Sequence, residues 1–370
     1  MQFDFATAGR VVFGCGSVKS IPTLASEFGT RALVVTGRRS PLPGMSGPRF
    51  IVTGEPTVQT ARDGVDLFRK ERCDLVIGAG GGSVMDTAKA IAALATNSGE
   101  PLDYIEVVGR GLAFQNDPAP VIAAPTTAGT GSEVTRNAVL GVPGVKASLR
   151  SPKMLPRVAV VDPELTFELP PAITASTGLD ALTQLIEPFV SSRANAMTDL
   201  CCREGLRRVA RSLRRAYKNG TDVEARTDMA YASLLSGLAL ANAGLGIVHG
   251  FAAPIGGMFP APHGAVCAAL LPHGMKTNVD ALWERVPDHP SLERYAEVAA
   301  ILTGGDRPED AIAWVSALCH ELSVPPLRSY GVGEMHVADL AAKAAAASSM
   351  KANPIVLTLK ELIATLEAAL

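Results

Sequence analysis

The chain has 370 residues, 47% hydrophobic and 19% charged, with a formal net charge of −2. This composition belongs to globular domains rather than to a disordered chain. The balanced charge, without basic runs, leaves no electrostatic footprint for nucleic acid or an anionic membrane surface. The length exceeds what one ordinary core organises, so two domains are expected.

The opening stretch MQFDFATAGRVVFG carries Asp4 and no basic segment ahead of an apolar run, so it does not read as a signal peptide. The six cysteines (Cys15, Cys73, Cys201, Cys202, Cys267, Cys319) show no CxxC and no framework spacing. They read as small core residues of a protein in a reducing compartment, and a cytoplasmic location is expected. Strands are predicted at Arg31–Gly37, Arg49–Gly54, Asp74–Gly80, Pro120–Thr127 and Arg157–Pro163. Several are unbroken apolar runs, as in strands covered on both faces. Helical patterns at Thr57–Lys70 and Ser83–Leu94 lie between them, which makes a parallel α/β layout.

Three segments of this half point to a dinucleotide. In DLVIGAGGGSVMDTAKA, Gly80, Gly81 and Gly82 let backbone amides approach a pyrophosphate, and Ser83 with Asp86 reads as the capping box of the next helix. The pattern is neither GxGxxG nor GxxxxGK[ST], so the site is of a non-standard kind. In PTTAGTGSEVT, the hydroxyls of Thr126, Thr127, Thr130 and Ser132 follow the end of a strand, where ligands bind in open α/β sheets. In VVTGRRSPL, Gly37 stands where an acidic residue would hold the ribose 2′-hydroxyl, and Arg38 and Arg39 follow it. Two guanidiniums without a carboxylate favour a 2′-phosphate, so NADP(H) is preferred over NAD(H); the plain alternative is a solvated arginine pair.

After DPELTFELPP the texture changes to long helices, among them Asp199–Tyr217, Val223–Ala243, Pro290–Ala300, Pro308–Leu322 and Lys360–Leu370. The expected domains are residues 1–163, α/β and dinucleotide-binding, and residues 164–370, all-helical and metal-binding. No Asp, Glu, Lys or Arg occurs between Asp228 and Lys276, yet this stretch holds His249, His263 and His273. Its glycines and prolines break it into runs too short for a membrane span, so a buried helix followed by an irregular wall is expected. Upstream, GLDALTQLIEPF places Asp180 and Gln184 one helical turn apart. One carboxylate with two histidines makes a mixed oxygen and nitrogen site for a divalent metal.

The segments GGGSVMDTAKA, PTTAGTGSEVT, LPRVAVVDPELT, GLDAL and VHGFAAPIGGMFPAPHG occur in an order and spacing similar to the iron-containing (group III) alcohol dehydrogenases of the dehydroquinate synthase-like superfamily. The resemblance covers essentially the whole chain. It implies a homodimeric NAD(P)-dependent oxidoreductase, with the cofactor on the first domain and the metal on the second. It also implies metal ligands at Asp180, His249 and His263. The usual fourth ligand, a histidine in DALxH, is Gln184 here, which would bind weakly or orient a water, so the metal is Fe²⁺ or Zn²⁺. Ala253 replaces a second histidine linked to proton transfer, which leaves His273 as the nearest spare histidine for a proton relay. Lys146 matches a lysine at the nicotinamide end of the cofactor. Between Gly37 and Gly54, where the family usually has a loop, a helix and then a strand, the chain has only RRSPLPGMSGPRFIVT.

The expected reaction is reversible hydride transfer between a nicotinamide and a small alcohol, with its aldehyde or ketone. The alternatives are a metal-independent reductase of the maleylacetate type, a cyclase or lyase of the dehydroquinate synthase type, and a dinucleotide-binding protein without catalysis.

Overall fold

The apolar runs of the first half form strands of a parallel sheet in the computed structural model, which describes residues 2–42, 44–142 and 144–370. The strands are β1 (Arg10–Phe13), β2 (Ala32–Thr36), β3 (Arg49–Ile51), β4 (Leu75–Gly80), β5 (Val121–Pro125), β6 (Asn137–Val142), β7 (Val145–Arg150) and β8 (Val158–Val161). Six of them pair in the order β1-β8-β5-β4-β2-β3, every neighbour parallel. The inner strands β2, β4, β5 and β8 are buried along their whole length, as parallel strands covered on both faces must be.

Successive side chains take opposite faces. Leu33, Val35 and Val76 pack with Ala61 and Val65 of α2 (Val58–Lys70) and Ile91 of α3 (Gly82–Ala95). Val34, Leu75 and Ile77 pack with Ile21 and Leu24 of α1 (Ile21–Ser26). A four-residue helix α4 (Pro101–Tyr104) precedes β5. Among the described residues no helix separates β2 from β3; Pro43 in that connection lies outside them. The sequence reading passed over β1 and the antiparallel hairpin of β6 and β7.

The chain divides into two compact units, Ala6–Glu168 and Leu169–Leu370, the second including residues 2–5. The second is helical: α5 (Pro171–Val190), α6 (Ala196–Lys218), α7 (Val223–Ala243), α8 (Ile247–Met258), α9 (His263–Arg285), α10 (Pro290–Thr303), α11 (Pro308–Glu321), α12 (Val337–Ala346) and α13 (Leu359–Ala368). The expected irregular wall is corrected here. Pro254 lies inside α8 and Pro272 inside α9, and both segments stay helical. Each missing proline donor costs a helical bond, but the almost completely buried apolar faces of α8 and α9 outweigh it. No single helix among the described residues is long and apolar enough to cross a membrane; α7 and α8 pass that test only as a pair bent by 99°.

Candidate metal centre and nucleotide loops

Three helices of the second unit bring four donor atoms together. Asp180 comes from the middle of α5, His249 from the first turn of α8, and His263 and Cys267 from the first turns of α9. One ligand atom from each lies within 4.8 Å of all the others. His249 Nε2 is 3.4 Å and His263 Nε2 3.7 Å from Asp180 Oδ1. Gly264 permits the approach, because a Cβ there would stand 2.5 Å from the Ser176 carbonyl oxygen of α5. His249 lies in the first turn of its helix.

The set fits a divalent cation. Asp180 Oδ1 is buried without a hydrogen-bond partner, which is costly unless a cation or donor satisfies it. Behind the cluster, Glu187 Oε2 is 2.7 Å from His249 Nδ1, and its other oxygen accepts from the Val248 amide at 2.7 Å. A carboxylate that receives the Nδ1 proton fixes the tautomer that presents Nε2 to a metal. Burial alone would raise the Asp180 carboxyl, but His263 and His249 bring it below its ordinary range. His263 is pushed up to about 9, first by the Cys267 sulfur, against burial, and then by Asp180. Burial opposes the same rise at His249, yet Cys267, Asp180 and Glu187 carry it well above the imidazole range. Metal uptake must displace any proton these two imidazoles carry on Nε2.

In the first unit, β4 runs through Gly80 directly into α3 at Gly82. A Cβ on Gly80 would strike the Val84 side chain at 2.6 Å, so glycine lets the helix start tight against the strand. The loop after β5 lies over this turn, with Thr127 and Thr130 side chains against the Gly81 and Gly82 positions and the Thr126 amide bonded to the Gly80 carbonyl at 2.9 Å. The expected capping box is corrected: Gly81 is the N-cap, with no side-chain cap, and Ser83 is the second residue of the helix. Asp86 instead accepts from Ser132 Oγ at 2.8 Å and from the Val139 amide at 3.0 Å. The first helical amides are thus left without a side-chain cap, as an anion site requires.

Two family models match most of the chain: residues 8–163 match "Iron-containing alcohol dehydrogenase" and residues 174–370 match "Fe-containing alcohol dehydrogenase family, C-terminal". The chain belongs to the iron-containing alcohol dehydrogenase family. Among its relatives, 1,3-propanediol dehydrogenase of Klebsiella pneumoniae is 38% identical, over 92% of this chain and 93% of that protein. NAD-dependent methanol dehydrogenase of Bacillus methanolicus is 33% identical over 97% of both. A crystal structure of 1,3-propanediol oxidoreductase superposes with a TM-score of 0.91 at 34% identity, covering both chains completely. The fold of this iron-containing alcohol dehydrogenase is that of its family, and its activity is that of an NAD(P)-dependent alcohol oxidoreductase with a divalent metal.

The departures from the family pattern have definite places. Gln184 is buried, and its amide oxygen, the atom that could reach a cation, accepts from Ser236 Oγ of α7 at 3.0 Å. His273 stands ten residues beyond His263 on α9, about 15 Å along the axis. It lines a cavity of about 220 Å³ with Cys319 and His320, and burial lowers its pKa; the structure does not bring it into the donor cluster. Lys146 on β7 places its ammonium 3.0 Å from Glu55. Arg38 and Arg39 are exposed beyond β2, Arg39 meeting Glu168 at 3.8 Å, and a Cβ on Gly37 would meet nothing within 4 Å.

The sequence reading missed three residues. Cys267 was grouped with core cysteines, although HGAVC puts it one turn after His263. Glu187 lies seven residues, two turns, after Asp180 on the same face of α5. Lys89 is completely buried and donates to Ser132 O, Ser132 Oγ and Thr135 Oγ1 at 2.9, 2.6 and 3.0 Å. It ties α3 to the loop after β5, and no spacing rule marks such a lysine.

Proposed function

We propose that this protein interconverts a small alcohol with its aldehyde or ketone, using NADP(H) in preference to NAD(H), with one Zn²⁺ or Fe²⁺ held by Asp180, His249 and His263. The observation that carries this reading is the orphaned Asp180 Oδ1 among imidazole nitrogens, with Glu187 behind His249. When bound, the metal supplies Lewis acidity toward the substrate oxygen and the nicotinamide supplies the hydride. The chain's own part is to place and shield those groups. Glu187 orients His249, and Ile247 and Val248, its neighbours in the first turn of α8, are buried. His263, with 37% of its side chain exposed, marks the open side. Gly81, Gly82 and Ser83 offer amides to the pyrophosphate, Thr126, Thr127 and Thr130 stand beside them, and Asp86, Lys89 and Ser132 brace that loop. Ala253 has no proton to give, so protonation falls to water or to cofactor hydroxyls.

The preference for NADP(H) is supported by Arg38 and Arg39; the exposed contact of Arg39 with Glu168 is worth little. Lys146 is assigned to the nicotinamide end of the cofactor on the family resemblance. A cytoplasmic homodimer is part of the same proposal: six free thiols support a reducing compartment, and the family resemblance supports the dimer. A metal-independent reductase would have no need of a buried, unpartnered carboxylate oxygen between two histidines.

The test is nicotinamide absorbance with metal-loaded protein against a panel headed by 1,3-propanediol, methanol and their aldehydes. Net turnover with at least one small alcohol or aldehyde is expected. Full turnover after verified metal removal would favour the maleylacetate-type alternative, and a reaction that returns its cofactor unchanged would favour the cyclase.

A further inference from the structure

We propose that Cys267 is the fourth protein ligand of the metal, a thiolate standing in for the imidazole that the family places where this chain has Gln184. The inference rests on the reading that Asp180, His249 and His263 hold the ion. Cys267 Sγ lies 3.8 Å from His249 Nε2 and 3.7 Å from His263 Nε2. A tetrahedral centre with bonds of about 2.0–2.1 Å to nitrogen or oxygen and about 2.3 Å to sulfur has edges of roughly 3.3–3.6 Å. The four measured separations, 3.4, 3.7, 3.7 and 3.8 Å, are such edges, opened by a few tenths of an ångström, so a substrate oxygen would enter as a fifth ligand on the exposed His263 side.

Helix geometry makes the placement firm. His263 and Cys267 are one turn apart on α9 and face the same way, while Gly264 between them holds this turn against α5. Cys267 is completely buried, so its sulfur meets the cluster rather than solvent. Gln184, the alternative fourth ligand, has its amide oxygen in a hydrogen bond from Ser236.

Coordination breaks the Cys267 S–H bond heterolytically. The sulfur keeps the electron pair and donates it to the cation, and the proton goes to water. One thiolate and one carboxylate then neutralise a divalent ion in a buried pocket, where an uncompensated charge is costly. A soft sulfur ligand also moves the preference from ferrous iron toward zinc.

The experiment is X-ray absorption on the full-length protein loaded with Zn²⁺ and freed of excess metal, with metal content measured on the same samples. One sulfur scatterer at about 2.3 Å is expected in the wild type. Cobalt loading should give a thiolate-to-metal charge-transfer band in the near ultraviolet. Cys267→Ser should lose the sulfur shell and the band and weaken zinc retention at least tenfold, and Gln184→Ala should keep all three. Stoichiometric zinc bound by nitrogen and oxygen alone in the wild type would overturn the proposal and leave the three-ligand reading standing. Failure of the wild type to retain any divalent metal would overturn both. The wild-type spectra decide the matter even if Cys267→Ser folds poorly.

Discussion

In the proposed metal site Glu187 would act through another residue, without being a ligand itself. It is buried, its two oxygens are divided between the Val248 amide and His249 Nδ1, and it holds the imidazole in one orientation. Glu187→Gln keeps the shape but removes the charge that strengthens the ligand. Metal affinity should fall about 10–100-fold, measured by competition with a chromophoric chelator; unchanged affinity would reduce Glu187 to a packing residue. A second prediction at this scale concerns Gly37. The space beyond it admits a larger side chain, so Gly37→Asp should fold normally and set a carboxylate beside Arg38 and Arg39. The ratio of kcat/KM for NADPH over NADH, expected to be at least about tenfold in the wild type, should fall in the variant. A wild type that uses NADH as well as NADPH would refute the arginine assignment.

Much of the element pattern was legible because the physics was local. The helix Val223–Ala243 has the expected bounds, and the five predicted strands all join the parallel sheet. What escaped was decided by distant contacts. β1 is a four-residue edge strand, largely exposed and defined only by its pairing with β8, and Pro254 ends no helix because tertiary burial holds α8 together. The donor cluster was three-quarters legible: Asp180, His249 and His263 stand out as polar groups in an apolar stretch. Cys267 resembles any other core cysteine until α9 is known to be continuous through it. A buried carboxylate also joins α6 to α7, where Asp228 accepts from Arg208, Arg211 and Ser212 at 2.8, 2.6 and 2.5 Å. Burial alone would raise its pKa, but Arg211, Ser212 and Arg208 bring it below the ordinary value. Its stabilising contribution is therefore present above the unfolded value of about 3.9 and is lost as the pH falls through the folded value. Asp228→Asn should cost about 1.5–3 kcal/mol near neutral pH, and the difference in Tm from wild type should narrow below about pH 4. A gap that stayed constant on acidification would assign the effect to packing instead of charge.

At the scale of the whole molecule, the proposed ligands are confined to the helical unit but drawn from separate places along it. Asp180, His249 and His263 with Cys267 belong to three helices, with α6 and α7 lying in the chain between the first and the second. An ion bound there joins segments that the unfolded chain leaves far apart, and a preformed site of this kind does not survive unfolding. Binding must therefore stabilise the folded unit by mass action, by about 2.7 kcal/mol when free metal is a hundredfold above the dissociation constant. For a unit of roughly 200 residues each kcal/mol moves Tm by about 2–4 °C, so loading should raise the transition by roughly 5–10 °C. Calorimetry on apo and zinc-loaded protein measures this directly, with metal content determined on the same samples. His263→Ala should show little or no rise on adding zinc, since it removes the donor on the open side while leaving the buried core of the unit intact. A wild type whose Tm ignores a demonstrated change in metal content would mean that the ion sits elsewhere than between these three helices.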